Sequence, residues 1–174
     1  MMTFAIRRLK EGVRATLMTH FLALPIGDLY LRFGTWLAPE VIAAYVGGID
    51  FTHDAVFGLH DDRLVLVGLA HLACKDDAAE VGLSVLPAHR GRGVGGALFR
   101  RAVAHAHFSC IPRLLMHFLP GNAPIMRIAR RFGMDIVTLA GESSADLELP
   151  LASVYRALPP RPIEARRSNN QGDC

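Results

Sequence analysis

Gly91, Gly93, Gly95 and Gly96 crowd the segment of the chain with the most chemistry in it. An apolar stretch with Val81, Leu83 and Val85 runs into these glycines, and a helical run opens at about Gly93. Such a turn leaves the first backbone N–H groups of the helix without partners, and the helix dipole adds to their field. The spot suits an anion, above all a phosphate, whose oxygens can take several converging donors. Gly91, Gly93 and Gly96 match the dinucleotide fingerprint G-x-G-x-x-G, but two features exclude it. Pro87 to Arg90 separate the strand from the first glycine, and no acid for a ribose lies ~20 residues on, since Asp135 is the first acidic residue after the loop. A Walker loop is excluded because no Lys-Ser or Lys-Thr follows the glycines.

The run Arg90-Gly91-Arg92-Gly93-Val94-Gly95 fits the acyl-CoA loop R/Q-x-x-G-x-G/A. Here the chain resembles the GNAT family of N-acetyltransferases. The likeness extends over about residues 54–140, with Val85-Leu86-Pro87 before the loop and an Asn-led helix from Asn122 closing at Gly133. It implies an α/β (α+β) GNAT fold, a mixed, mostly antiparallel central sheet flanked by helices. It also implies acetyl-CoA as cofactor. The backbone of Leu83, Ser84 and Val85 would lie beside the pantetheine arm, and the pyrophosphate would sit on Arg90, Gly91, Arg92, Gly93, Val94, Gly95 and Gly96. Asn122 would touch the cofactor or serve only as a helix cap. Asp28 to Phe33, with Ile49-Asp50-Phe51 and Ala79-Glu80-Val81, is further similar to the Pat-type bacterial protein-lysine acetyltransferases, which carry an Arg-Phe motif in this region. By the same resemblance Tyr30, Arg32, Phe33 and Trp36 border the acceptor, and Arg32 could meet either an acceptor carboxylate or a structural one.

Acetylating an amine requires a neutral nitrogen, so a base must take a proton from an ammonium. Glu80 is the first candidate, on the strand face that also carries Gly82 and Ser84 and at the position of the family's frequent strand glutamate. Partial burial there would suit a base working near neutral pH. His71 is the second. If Asp76-Asp77 forms a two-residue turn, His71 faces Gly82 and shares the Glu80 side; a hydrogen-bonded core role is its other reading. His117 carries the same ambiguity. His105 and His107 point in different directions and make no metal pair, and His89, in the loop, could contact phosphate but is expected in solvent. Ala129 stands where many family members place a tyrosine acid. The resulting expectation is an acetyl-CoA dependent N-acyltransferase acting on a primary amine, of a small molecule or a protein lysine, by direct attack on the thioester. The alternative is a non-catalytic acyl-CoA binding or sensing module.

The elements that must hold these groups follow from periodicity. Residues 3–9, 55–59, 64–74 and 80–85 read as strands, the middle ones an antiparallel meander. Residues 11–24 read as a helix ended by Pro25, followed by a helical region broken at Gly34 and restarted at Pro39. Residues 93–109 and 122–133 are helical, and in the second Ile125, Ile128, Ala129 and Phe132 share a face while Arg127, Arg130 and Arg131 face away. Short strands at 114–118, 136–139 and 146–149 complete the sheet. The length of 174 residues fits one domain, expected at 3–156, and residues 157–174 read as a mobile Pro- and Arg-containing tail. With 51% apolar and 20% charged residues the chain is neither disordered nor spanning, as its longest apolar stretch stops short of ~18 residues. A net charge of +3 with 7% aromatics argues against nucleic acid. Cys74, Cys110 and Cys174 have no C-x-x-C pairing, which fits reduced thiols, with Cys74 and Cys110 as small core residues, and no metal site. Without a signal-like N-terminus, a cytoplasmic bacterial protein is expected. Its expected partners are acetyl-CoA and an amine acceptor, with homodimerisation left open.

Overall fold

A computed structural model describes residues 4–150. The expected domain limits, the tail at 157–174 and Cys174 lie outside the described residues. Among these residues one seven-stranded sheet runs β1-β2-β3-β4-β5-β7-β6. Its strands are β1 (Arg7–Leu9), β2 (Ala55–His60), β3 (Leu66–Lys75), β4 (Ala78–Val85), β5 (Arg113–Phe118), β6 (Asp135–Leu139) and β7 (Glu142–Glu148). All neighbours are antiparallel except β4 and β5. The helices are α1 (Arg14–Leu22), α2 (Ile26–Phe33), α3 (Pro39–Gly48), α4 (Val94–Phe108) and α5 (Ala123–Arg131).

Two apolar clusters sandwich the sheet. On one side α4 presents Leu98, Phe99, Ala102 and Ala106, all fully buried, to Phe57, Ala70, Val81 and Leu114. This is the face that helical periodicity assigns. On the other, α1, α2 and α3 bring Leu17, Phe21, Leu29, Ile42 and Val46 onto Val56, Leu66 and Leu69. Gly34, at φ +74°, ends α2 in the left-handed conformation that a helix stop favours. The β3–β4 turn is the two-residue Asp76-Asp77 hairpin, so Lys75 pairs with Ala78 and His71 with Gly82 as expected.

Three local expectations are corrected. Leu64 lies outside β3 at φ +61°, because the Asp61 carboxylate accepts the N–H groups of Arg63 and Val65 and wraps a longer turn. β7 begins at Glu142 rather than at 146, because Ala140 and Gly141 both have positive φ and form a tight hairpin with β6. Cys110 is exposed in the left-handed turn after α4 instead of packing in the core. No helix of the described residues is long and apolar enough to cross a membrane.

Candidate active site

β4 and β5 run side by side for only three residue pairs, from Ala78 with Arg113 to Glu80 with Leu115. Beyond Glu80 they part. Leu83, Ser84 and Val85 keep β3 on one edge and face an opening on the other. A cleft of about 600 Å³ fills this split. Its floor is Leu83 to Val85, and its far end is the glycine loop with the first turn of α4.

That end is built to receive an anion. Gly91 and Gly93 sit at φ +72° and +85°, a conformation that L side chains rarely adopt. A Cβ on Gly91, Gly93 or Gly96 would meet nothing within 4 Å, so the space above the loop is open. No side chain caps α4 and no acid lies in its first turn, which leaves its N–H donors and positive dipole end uncompensated. Arg127 and Arg131, expected to face away from the apolar side of α5, line the cleft. Pro124, Arg127, Ile128 and Arg131 fall at i, i+3, i+4 and i+7, a spacing that could have revealed a second face of α5.

Several loop residues differ from expectation in detail. Arg90 does not aim into the loop: its Nε–H donates to the Val85 carbonyl (2.9 Å), and its two Nη groups grip the Asp28 carboxylate at 3.2 and 2.5 Å. Arg92 is exposed and is not among the cleft-lining residues. His89, expected in solvent, is half-buried, lines the cleft and has an unpartnered Nδ1. Asn122 is buried in the cleft wall with both amide ends engaged. Its Oδ1 accepts from the Ile125 N–H and its Nδ2 donates to the Leu31 carbonyl, so it caps α5 and ties it to α2.

The candidate bases separate clearly. Glu80 is more than half exposed, not partly buried, and its carboxylate lies 3.3 Å from Nδ1 of the equally exposed His117. The second apolar cluster takes its sheet residues from β1, β2 and β3, and α2, although it meets β4 and β5, leaves both side chains more than half exposed. His71 shares the Glu80 face but is buried and fully bonded: Nε2 to Asp54 (3.0 Å), Nδ1 to the Tyr45 hydroxyl (2.7 Å). Because the Asp54 carboxylate only accepts, His71 Nε2 carries the proton and Nδ1 receives the Tyr45 O–H. Burial lowers the His71 pKa below the usual imidazole value, with Asp54 opposing. Both ring nitrogens of His71 are thus occupied, the hydrogen-bonded arrangement that is its other reading.

Tyr45 in turn accepts from Arg32 Nη2 (3.0 Å), which completes a chain from α2 through α3 to β3. Arg32 lies against Gly82 and lines the cleft. Phe33 packs with Phe21 and Tyr45 in the apolar cluster, while Tyr30 and Trp36 stack on each other at 4.6 Å; none of the three lines the cleft. Ser84 donates to His20 Nε2 (2.8 Å), whose Nδ1–H is held by the Leu66 carbonyl. Burial pushes the His20 pKa down to about 4. Sequence reasoning missed Tyr45, Asp54 and His20, for which no local spacing gives a signal.

Comparisons with known proteins bear on this geometry. The profile described as the acetyltransferase (GNAT) family matches residues 23–134. No curated protein matches the sequence. The GNAT domain of Pat from S. lividans superposes with a TM-score of 0.70 at 19% identity, covering 83% of this chain and 89% of that one. The yncA structure from Salmonella typhimurium with its cofactor acetyl-CoA gives 0.63 at 16% identity, covering 85% and 95%. The PaiA N-acetyltransferase of Thermoplasma acidophilum in complex with coenzyme A gives 0.63 at 15% identity, covering 85% and 100%.

Proposed function

The chain belongs to the acetyltransferase (GNAT) family, and we propose that it moves the acetyl group of acetyl-CoA onto a primary amine by direct attack on the thioester. The observation that carries this is the split between β4 and β5 opening onto the glycine loop and the uncapped start of α4. The residues present fit the cofactor: open space and free donors for the pyrophosphate, Arg127 and Arg131 for further phosphate charge, and an apolar floor at Leu83 and Val85 for the pantetheine arm. When bound, acetyl-CoA supplies an activated acyl group with a thiolate as leaving group. Backbone N–H groups on the open edge of β4 polarise the carbonyl as charge builds on its oxygen. Glu80 takes a proton from the acceptor's ammonium, directly or through a water, and so frees the nitrogen lone pair for attack. His117, exposed beside it, passes that proton to solvent.

Release of free CoA from acetyl-CoA, followed with a thiol reagent across amines, amino acids and lysine peptides, tests the reading. Binding of acetyl-CoA without CoA release on any acceptor would refute it and leave a sensing module.

A further inference from the structure

We propose that Arg32 is the anchor for a carboxylate on the acceptor, so that the preferred substrate carries its amine and a carboxylate in one molecule. The inference rests on the acetyl-transfer reading of the cleft. Arg32 sits in the last turn of α2, flat on Gly82 of β4, where a Cβ would overlap its terminal nitrogens. Of its five N–H donors, one bonds to Tyr45. Its Nε and Nη1 are buried with no hydrogen-bond partner, and no Asp or Glu oxygen of the described residues forms an ion pair with it. The rings of Phe33, Phe21 and Tyr45 lie 4.9, 5.4 and 6.0 Å from its guanidinium carbon, which stabilises the charge but leaves the N–H donors unanswered.

Every neighbouring acid is already committed. Asp28 holds Arg90, Asp54 holds His71 and the Cys74 N–H, and Glu80 faces His117. The nearby His20 and His71 are both kept neutral by burial. A half-buried guanidinium with two unanswered nitrogens, carrying three N–H donors, is costly unless an anion arrives. The sequence allowed either a structural carboxylate or one from the acceptor, and no structural one stands within reach among the described residues.

Position fits the chemistry. Arg32 lies over Gly82, two residues from Glu80 on the same strand face, so the anchor sits over a backbone position about 7 Å along the strand from that of the base. Both unanswered nitrogens are closed to water, so a carboxylate reaches them as the side chain lifts from Gly82 into the cleft that it lines. The Asp54–His71–Tyr45 chain holds the fork by its remaining Nη2 donor.

The test compares kcat/KM for amino acids, from glycine to 6-aminohexanoate, with alkylamines of the same chain length. A second arm uses lysine peptides with Asp or Asn beside the lysine, which separates a free amino acid from an acidic peptide. The expected result is a preference of ~10-fold or more for the carboxylate-bearing member of a pair, erased in Arg32→Gln and only partly kept in Arg32→Lys, which lacks the planar fork. Equal kcat/KM within all pairs, or a preference surviving in Arg32→Gln, would overturn the inference while leaving acetyl transfer intact. Independently of turnover, CoA-saturated protein is titrated with N-acetylglycine and with N-methylacetamide, its counterpart without the carboxylate. Selective binding of N-acetylglycine that is lost in Arg32→Gln supports the anchor even if no acceptor is acetylated, whereas equal binding of the two by wild-type protein refutes it without any variant having to fold.

Discussion

Gly68→Ala should loosen the cofactor helix from beneath. Gly68 lies on β3, and a Cβ there would stand 2.9 Å from Val94 Cγ1 and 3.0 Å from Leu98 Cδ1. Ordinary carbon contacts are about 3.5–4.0 Å, so the first two turns of α4 must rise by a fraction of an ångström. Val94 and Leu98 are both buried, with little room to give. Overpacking of this kind costs about 1–3 kcal/mol, and relief from glycine's backbone entropy returns about 0.5–1. The net loss, centred on about 1 kcal/mol, corresponds to a melting point lower by about 2–4 °C for a chain of this size. The same shift displaces the N–H donors at the start of α4. Spoiling the equivalent of one charge-assisted bond, at about 1.4 kcal/mol, weakens CoA binding by about tenfold. Scanning calorimetry and CoA titration read both effects. Gly47→Ala in α3 is the control, since its Cβ meets nothing within 4 Å; it should raise stability by up to about 1 kcal/mol and leave CoA affinity alone. A Gly68→Ala protein with wild-type melting point and CoA affinity would refute the claim that α4 is seated on this glycine.

Glu80→Gln should lower turnover by about 10²-fold or more with CoA affinity unchanged, recovering in part at high pH where the acceptor deprotonates itself; wild-type rates at neutral pH would remove Glu80 from the role of base. Asp28→Asn frees Arg90 and takes a negative charge from the cleft, so CoA should bind about 2–5-fold tighter, most clearly at low salt, while stability changes by less than about 1 kcal/mol because the pair is part-exposed; weaker binding by calorimetry would make the pair a brace instead. Ala129 is fully buried, so Ala129→Tyr should lower the melting point sharply through overpacking yet leave turnover per folded molecule little changed, and a ~100-fold gain would show that the thiolate needs an acid there. His20 is held near pKa 4 in the fold against about 6.5 unfolded, so the unfolded chain binds the extra proton. Stability is therefore full above pH 6.5 and falls by about 3 kcal/mol as pH drops to 4; denaturant melts should show that slope and show it flattened in His20→Gln.

What was legible in the sequence is what depends on near neighbours. The register that puts His71 opposite Gly82 follows from a two-residue turn at Asp76-Asp77, and α5 follows from Asn122, Pro124 and the spacing of its isoleucines. The glycine loop was legible because its chemistry lies in the backbone. The side-chain network was not. Arg32, Tyr45, Asp54 and His71 come from four separate segments and meet only when α2 and α3 close over β3. The exposure of Glu80 was misjudged for a related reason: burial on a sheet face depends on which helix covers it, and α2, the helix that meets β4 and β5, covers Gly82 but leaves Glu80 more than half exposed. Strand alternation assigns a face but cannot say whether that face is roofed.

α2 is where the two halves of the site are joined. Within one short helix Asp28 grips the Arg90 side chain of the cofactor loop, the Leu31 carbonyl holds the Asn122 cap of α5, and Arg32 lies on Gly82 of the central strand. These are three successive faces of the cleft: the phosphate end, the far wall and the floor next to the base. The first two contacts are hydrogen-bonded and the third is a close stacking on a glycine, while Leu29 and Phe33 of the same helix pack into the apolar cluster. A negative charge arriving at the glycine loop meets an Arg90 already held by Asp28, and one arriving at Gly82 meets the unpartnered Nε and Nη1 of Arg32 while Tyr45 keeps Nη2. Both of these arginine contacts trace back to the same short helix, so α2 borders the cofactor end and the acceptor end of the cleft at once.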